Sequence, residues 1–94
     1  MTRTVPVSRV ELPGGGYADH TWGLLTENMR TSFRVTLATH GPDAAQLVIG
    51  TPRLLAALTR RGLVDPGERH RLTPTGRALL RWAANPTNIQ VRGG

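Results

Sequence analysis

Two threonine–proline pairs, Thr51-Pro52 and Thr73-Pro74, constrain this chain more than any other feature. The threonine hydroxyl can accept a backbone N–H of the first helical turn. Proline at the first helical position has no N–H to leave unsatisfied, and its φ is already near the helical value. Each pair therefore opens a helix, and the next breaker closes it. One helix runs from Pro52 to about Arg61, with Leu54, Leu55 and Leu58 as its apolar stripe, and Gly62 turns the chain out of it. Another covers 74–84, with Leu79, Leu80, Trp82 and Ala83 facing inward, and Asn85-Pro86 stops it. Upstream, residues 26–40 also read as helix. Thr26 or Asn28 can cap it and Glu27 suits the positive end of its dipole. Met29, Phe33 and Leu37, with the neighbouring Val35, form its apolar stripe, and Gly41-Pro42 ends it. A shorter helix is expected over 42–49, started by Pro42 and Asp43 and broken by Gly50.

The remaining segments read as β structure. Val5, Val7, Val10 and Leu12 recur at close to period two, and Tyr17, Asp19 and Thr21 alternate after Pro13-Gly14-Gly15-Gly16. A glycine-rich loop cradles phosphate only where it opens a helix. Here it leads into Tyr17-Ala18-Asp19-His20, which reads as strand, so a hairpin turn is the better reading. A second hairpin pairs Leu63-Val64 with Arg69-His70-Arg71-Leu72 across Asp65-Pro66-Gly67-Glu68, whose central Pro-Gly suits a type II turn. Alternation then sets His70 and Leu72 on one face and Arg69 and Arg71 on the other. The expected fold class is α+β, mainly α: an N-terminal hairpin extension over 1–25, a helical domain with one hairpin over 26–84, and a tail over 85–94.

Composition narrows the function classes. Ninety-four residues make one small domain. The absence of cysteine excludes disulfides, cysteine–zinc sites and thiol catalysis, and fits a reducing, cytoplasmic setting. No apolar run approaches the length of a membrane span. His20, His40 and His70 fall on separate elements without the convergent spacing of metal ligands, so neither a metal nor a cofactor is expected. The carboxylates are scattered, Ser8 and Ser32 lie in no nucleophile motif, and no enzyme is expected. Trp22 and Trp82 could stack on bases but are better used in a thin core. The charge is more telling. Twelve basic residues, all arginine, oppose six acidic ones, giving +6, and six of the arginines fall within residues 60–81. Arginine suits bidentate contacts to phosphate and guanine.

The run Leu58-Thr59-Arg60-Arg61-Gly62-Leu63-Val64, followed by Arg71-Leu72-Thr73-Pro74-Thr75-Gly76-Arg77, resembles the wing signature of MarR-like winged helix-turn-helix regulators. Val35 to Pro42 is similar to their first helix and the turn after it. The resemblance covers residues 26–83 and implies a double-stranded DNA partner. Thr51 and Arg53 at the start of the third helix would meet the bases, with Arg60 and Arg61 further along it. Arg69 and Arg71 would be the wing contacts, and Gln46 could reach a phosphate. Two departures stand out: only Val48-Ile49-Gly50 separates Leu47 from Thr51, and Ala56-Ala57 in mid-helix offers no hydrogen bonds to base edges. Val10 to Ala18 also looks like the start of small phage proteins. That leaves a second reading open, in which the fold is a protein-interaction module such as a virion connector, with a homodimer or a phage or host protein as partner.

Overall fold

A computed structural model describes residues 10–68 and 70–85. Four helices carry the fold: α1 (Ala18–Leu24), α2 (Glu27–His40), α3 (Pro52–Arg60) and α4 (Pro74–Ala84). The described residues contain no β-strand. Three isolated bridges, Glu11 with Tyr17, Gln46 with Arg71 and Val64 with Leu72, are the only extended pairings among them. The described residues thus form an all-helical four-helix arrangement. The expected α+β winged helix-turn-helix with an N-terminal hairpin is corrected at three places, each for a local reason.

At the N-terminus, the glycine turn closes on itself. The Leu12 N–H donates to the Gly16 carbonyl at 2.9 Å, and Gly15 and Gly16 take φ of 98° and 80°. Both values lie in the region that glycine adopts without strain. The segment after the turn is helix α1 and not a strand. Of the alternating residues, Tyr17 precedes the helix, Asp19 is exposed and Thr21 is half-buried, so none marks a core face. The buried residues are Ala18, Trp22 and Leu25, spaced i, i+4 and i+7, which is a helical period. The first arm of the expected hairpin, with Val5 and Val7, lies outside the described residues.

Residues 42–49 form no helix. Their backbone groups are claimed by other segments: Leu47 N–H donates to His70 O at 2.7 Å, and Ala45 O accepts from Leu72 N–H at 2.9 Å. Val48 N–H donates to the buried Thr36 hydroxyl at 2.8 Å, and that hydroxyl donates to Ser32 O at 2.8 Å. Only Leu47 within the stretch is fully buried, so a helix there would have little apolar face to hold it against the core. A helix-turn-helix pair is therefore absent.

The wing is absent too. The Asp65 carboxylate accepts Gly67 N–H at 2.7 Å and Glu68 N–H at 3.3 Å, which winds 65–68 into a compact turn. Gly67 does not take the positive φ that a type II turn needs. His70 does, at 66°, which breaks the expected alternation. The returning residues 70–72 divide their pairing between 45–47 and 64–65, so neither pairing extends into a ladder.

The three threonine caps form as the sequence implies. Thr26, Thr51 and Thr73 accept from Met29, Leu54 and Gly76 N–H at 3.3, 3.1 and 3.0 Å. The core is continuous through Leu25, Phe33, Leu47, Leu58, Leu63, Leu79 and Leu80. Trp22 sits edge-on to Phe33 at 5.8 Å and tilted against Trp82 at 5.9 Å, so both tryptophans are core residues. Val35, read as part of the α2 stripe, is exposed, and Thr36 takes the buried position instead. Behind α3, Gly62 takes φ of 79° and Leu63 N–H returns to Leu58 O at 3.1 Å, which directs the chain back into the core.

Candidate polyanion-binding surface

The candidate surface is the outer side of α3. Leu58 locks this helix to the core, with Leu54, Leu55 and Ala57 partly buried around it. Arg53, Ala56 and Arg60 are exposed at i, i+3 and i+7, so they form one stripe. At the helical rise, the two arginines stand about 10 Å apart along the axis. Arg61 follows as the C-cap. Thr51 is exposed, but its hydroxyl is committed to Leu54 N–H, so its role here is to start the helix.

Charge is unevenly distributed along the chain. Residues 44–64 contain three arginines and no carboxylate. Arg53, Arg60 and Arg61 make no ion pair among the described residues. Elsewhere four arginines are paired. Arg34 and Arg30 share Glu27 at 2.9 and 3.5 Å, Arg71 meets Glu68 at 2.7 Å, and Arg81 meets Asp43 at 3.0 Å. The Arg34 hydrogen bond and charge, with a lesser contribution from Arg30, hold the Glu27 carboxyl below its ordinary range. The Glu68 hydrogen bond and charge push Arg71 up. Arg53, Arg60 and Arg61 are thus left without a carboxylate partner among the described residues.

Of the residues expected to form the site, Thr51, Arg53, Arg60 and Arg61 lie together on or beside α3. Arg71 is exposed but belongs to the 65–72 turn, where it is tied to Glu68. Arg69 lies outside the described residues. Gln46 is exposed and bridged to Arg71. With neither a wing nor a helix-turn-helix pair, the DNA-binding regulator and the interaction module that were both read onto a winged helix are overturned. Reading residue by residue for the wing also passed over Arg77, an exposed α4 arginine without an ion pair among the described residues. Its signal was its spacing, one turn before Arg81 on the side of α4 away from Leu79 and Leu80.

No group of three or more metal-binding side chains occurs among the described residues. None of their helices is long and apolar enough to cross a membrane. His70 is half-buried, with its Nδ1 3.3 Å from Leu47 O, and it ties the 65–72 turn to the connector before α3. Comparison with protein-family models, with curated proteins and with solved structures found no match for this chain.

Proposed function

We propose that this protein is a non-enzymatic binding module that grips the phosphate backbone of double-stranded DNA through the outer face of α3, without reading bases. The observation that supports this reading is the pair of arginines without an ion pair among the described residues at both ends of one exposed helical stripe, within a stretch of chain, residues 44–64, that contains no carboxylate. The spacing of Arg53 and Arg60, about 10 Å, is close to the major-groove width of about 12 Å. Guanidiniums at the two ends of the stripe suit phosphates on either side of a groove. Between them Ala56 permits close approach and offers no hydrogen bond to a base edge.

The test is fluorescence anisotropy of a labelled duplex of arbitrary sequence across about 50 to 300 mM salt. Three neutralised phosphates give a log–log slope of about −3. The Arg53→Ala/Arg60→Ala double variant should lower the slope by about two units and weaken all duplexes alike. Absence of binding at the lowest salt, or binding that the double variant leaves unchanged, overturns the reading.

A further inference from the structure

A second site lies on α4, and it is of a different kind. Pro74, Arg77, Ala78, Arg81 and Trp82 share one side of this helix, and Val10 faces them from the segment before the glycine turn. They enclose an open groove of about 650 Å³. That is within the range of small-molecule sites, about 300–1,000 Å³. Its wall is mostly apolar, from Val10, Pro74, Ala78 and the indole of Trp82. Its polar residues are Asn85 and two arginines, Arg77 and Arg81, one turn apart.

The chemistry of the groove selects an occupant. The guanidiniums of Arg77 and Arg81 lie on the same side at i and i+4, so they can converge on one anion. Arg77 has no ion pair among the described residues. Arg81 gives Asp43 one contact, from Nη2 at 3.0 Å, and a guanidinium has five donors. The ligand therefore carries one negative head group. Its body is aliphatic rather than aromatic, because Trp82 is only 6% exposed and leaves little ring face for stacking. Val10, by contrast, is 42% exposed, a large apolar residue standing in water at the rim. Ala78 lies between Arg77 and Arg81 along α4 and Pro74 about one turn before Ala78, so an aliphatic tail whose head group is held at the arginines stays against this wall.

We propose that this groove binds a medium-chain aliphatic anion, with its carboxylate between Arg77 and Arg81 and its tail against Val10, Ala78 and the edge of Trp82. The site is independent of the DNA reading, because it uses no residue of α3.

Backbone amide NMR of the full ¹⁵N-labelled chain, titrated with octanoate, tests it. Saturable shifts are expected over α4 and at Val10, and the α3 amides should stay in place. Arg77 is exposed, so Arg77→Gln keeps the spectrum of the fold while weakening octanoate about five- to tenfold, and Arg77→Lys recovers part of the loss. Acetate and 1-octanol, which supply the head group or the tail alone, should each bind more weakly than octanoate. Ala78→Leu fills the groove and should abolish the shifts with Arg77 intact. The proposal is overturned if no saturable shift appears at millimolar octanoate or if the shifts centre on α3. It is equally overturned if octanol binds as well as octanoate, or if Arg77→Gln makes no difference. The Arg53→Ala/Arg60→Ala variant should bind octanoate as the parent does, so a failure of the α3 reading leaves this result separately readable.

Discussion

Gly76 gives the sharpest test of how the helices are packed. It lies in the first turn of α4 and is buried. A Cβ there would collide with the carbonyl oxygen of Leu63 and stand 2.9 Å from Leu72 Cδ2 and 3.1 Å from Leu63 C. The obstacle is backbone and cannot swing aside as a side chain would. That same carbonyl accepts Thr73 N–H at 3.1 Å, so displacing it also strains the entry to α4. Overpacking of this kind costs about 1–3 kcal/mol, and a weakened hydrogen bond adds about 1 kcal/mol. Alanine recovers about 1 kcal/mol of helix propensity. Gly76→Ala should therefore destabilise the protein by about 2 kcal/mol, which lowers Tm by roughly 8–16 °C in a domain of this size. Gly23→Ala is the internal control. Gly23 is exposed in α1 and an added Cβ meets nothing within 4 Å, so the same substitution should stabilise by about 0.4–1 kcal/mol. Thermal unfolding followed by far-UV circular dichroism gives both signs in one experiment. A Gly76→Ala protein that melts at or above the parent refutes the α4–Leu63 packing.

Other consequences follow from single contacts. Thr36→Val removes the acceptor of Val48 N–H and should cost about 1–3 kcal/mol in urea unfolding, with Thr36→Ser retaining most of the stability. Thr51→Ala removes the cap of α3 and should cost about 1 kcal/mol; equal stability would mean that Leu54 N–H finds another acceptor. Glu27 is depressed below its ordinary value of 4.5, chiefly by Arg34. Its contribution is therefore present above that value and lost as pH falls through the lower folded one. Between about pH 6 and pH 3, the urea midpoint should fall less in Arg34→Gln than in the parent, and an equal fall would remove Arg34 as the cause.

The starts of α2, α3 and α4 were legible because their signals are local. Thr26, Thr51 and Thr73 each act through a hydroxyl reaching three residues ahead, and no distant contact can easily override that. The misread segments all depend on partners far along the chain. Residues 42–49 carry plausible helix signals at both ends. Their N–H and C=O groups are nevertheless taken by His70, Leu72 and the side chain of Thr36, none of which a local pattern reveals. The 63–72 segment has the composition of a hairpin, but Asp65 folds the turn onto its own backbone and His70 leaves the extended region. In α1 the polar sequence pattern alternates after the glycines, while the buried residues keep helical spacing. The cationic stripe on α3 was half legible. Helical spacing places Arg53 and Arg60 together, whereas the ion pairs of Arg71 and Arg81 depend on which carboxylates the fold brings beside them.

That distribution of charge bears on what the α3 surface can discriminate. Selection of a DNA site over random sequence takes about 4–10 kcal/mol, and a good bidentate base contact supplies about 1–3 kcal/mol. Arg53 is the one arginine in the first turn of α3. With Ala56 next along the stripe and Thr51 committed to its cap, no second base-reading side chain stands beside it. Even at the upper bound, this surface falls short of site selection. Its arginines are better matched to phosphate, where affinity comes from counterion release and is indifferent to sequence. An Ala56→Gln or Ala56→Asn substitution makes the point testable. It adds the missing donor and acceptor on the stripe without touching the core, because Ala56 is exposed. If α3 lies in the major groove, the variant should acquire a preference between duplexes that the parent binds equally. An affinity and salt slope unchanged on every duplex would mean that the helix grips the backbone from outside the groove.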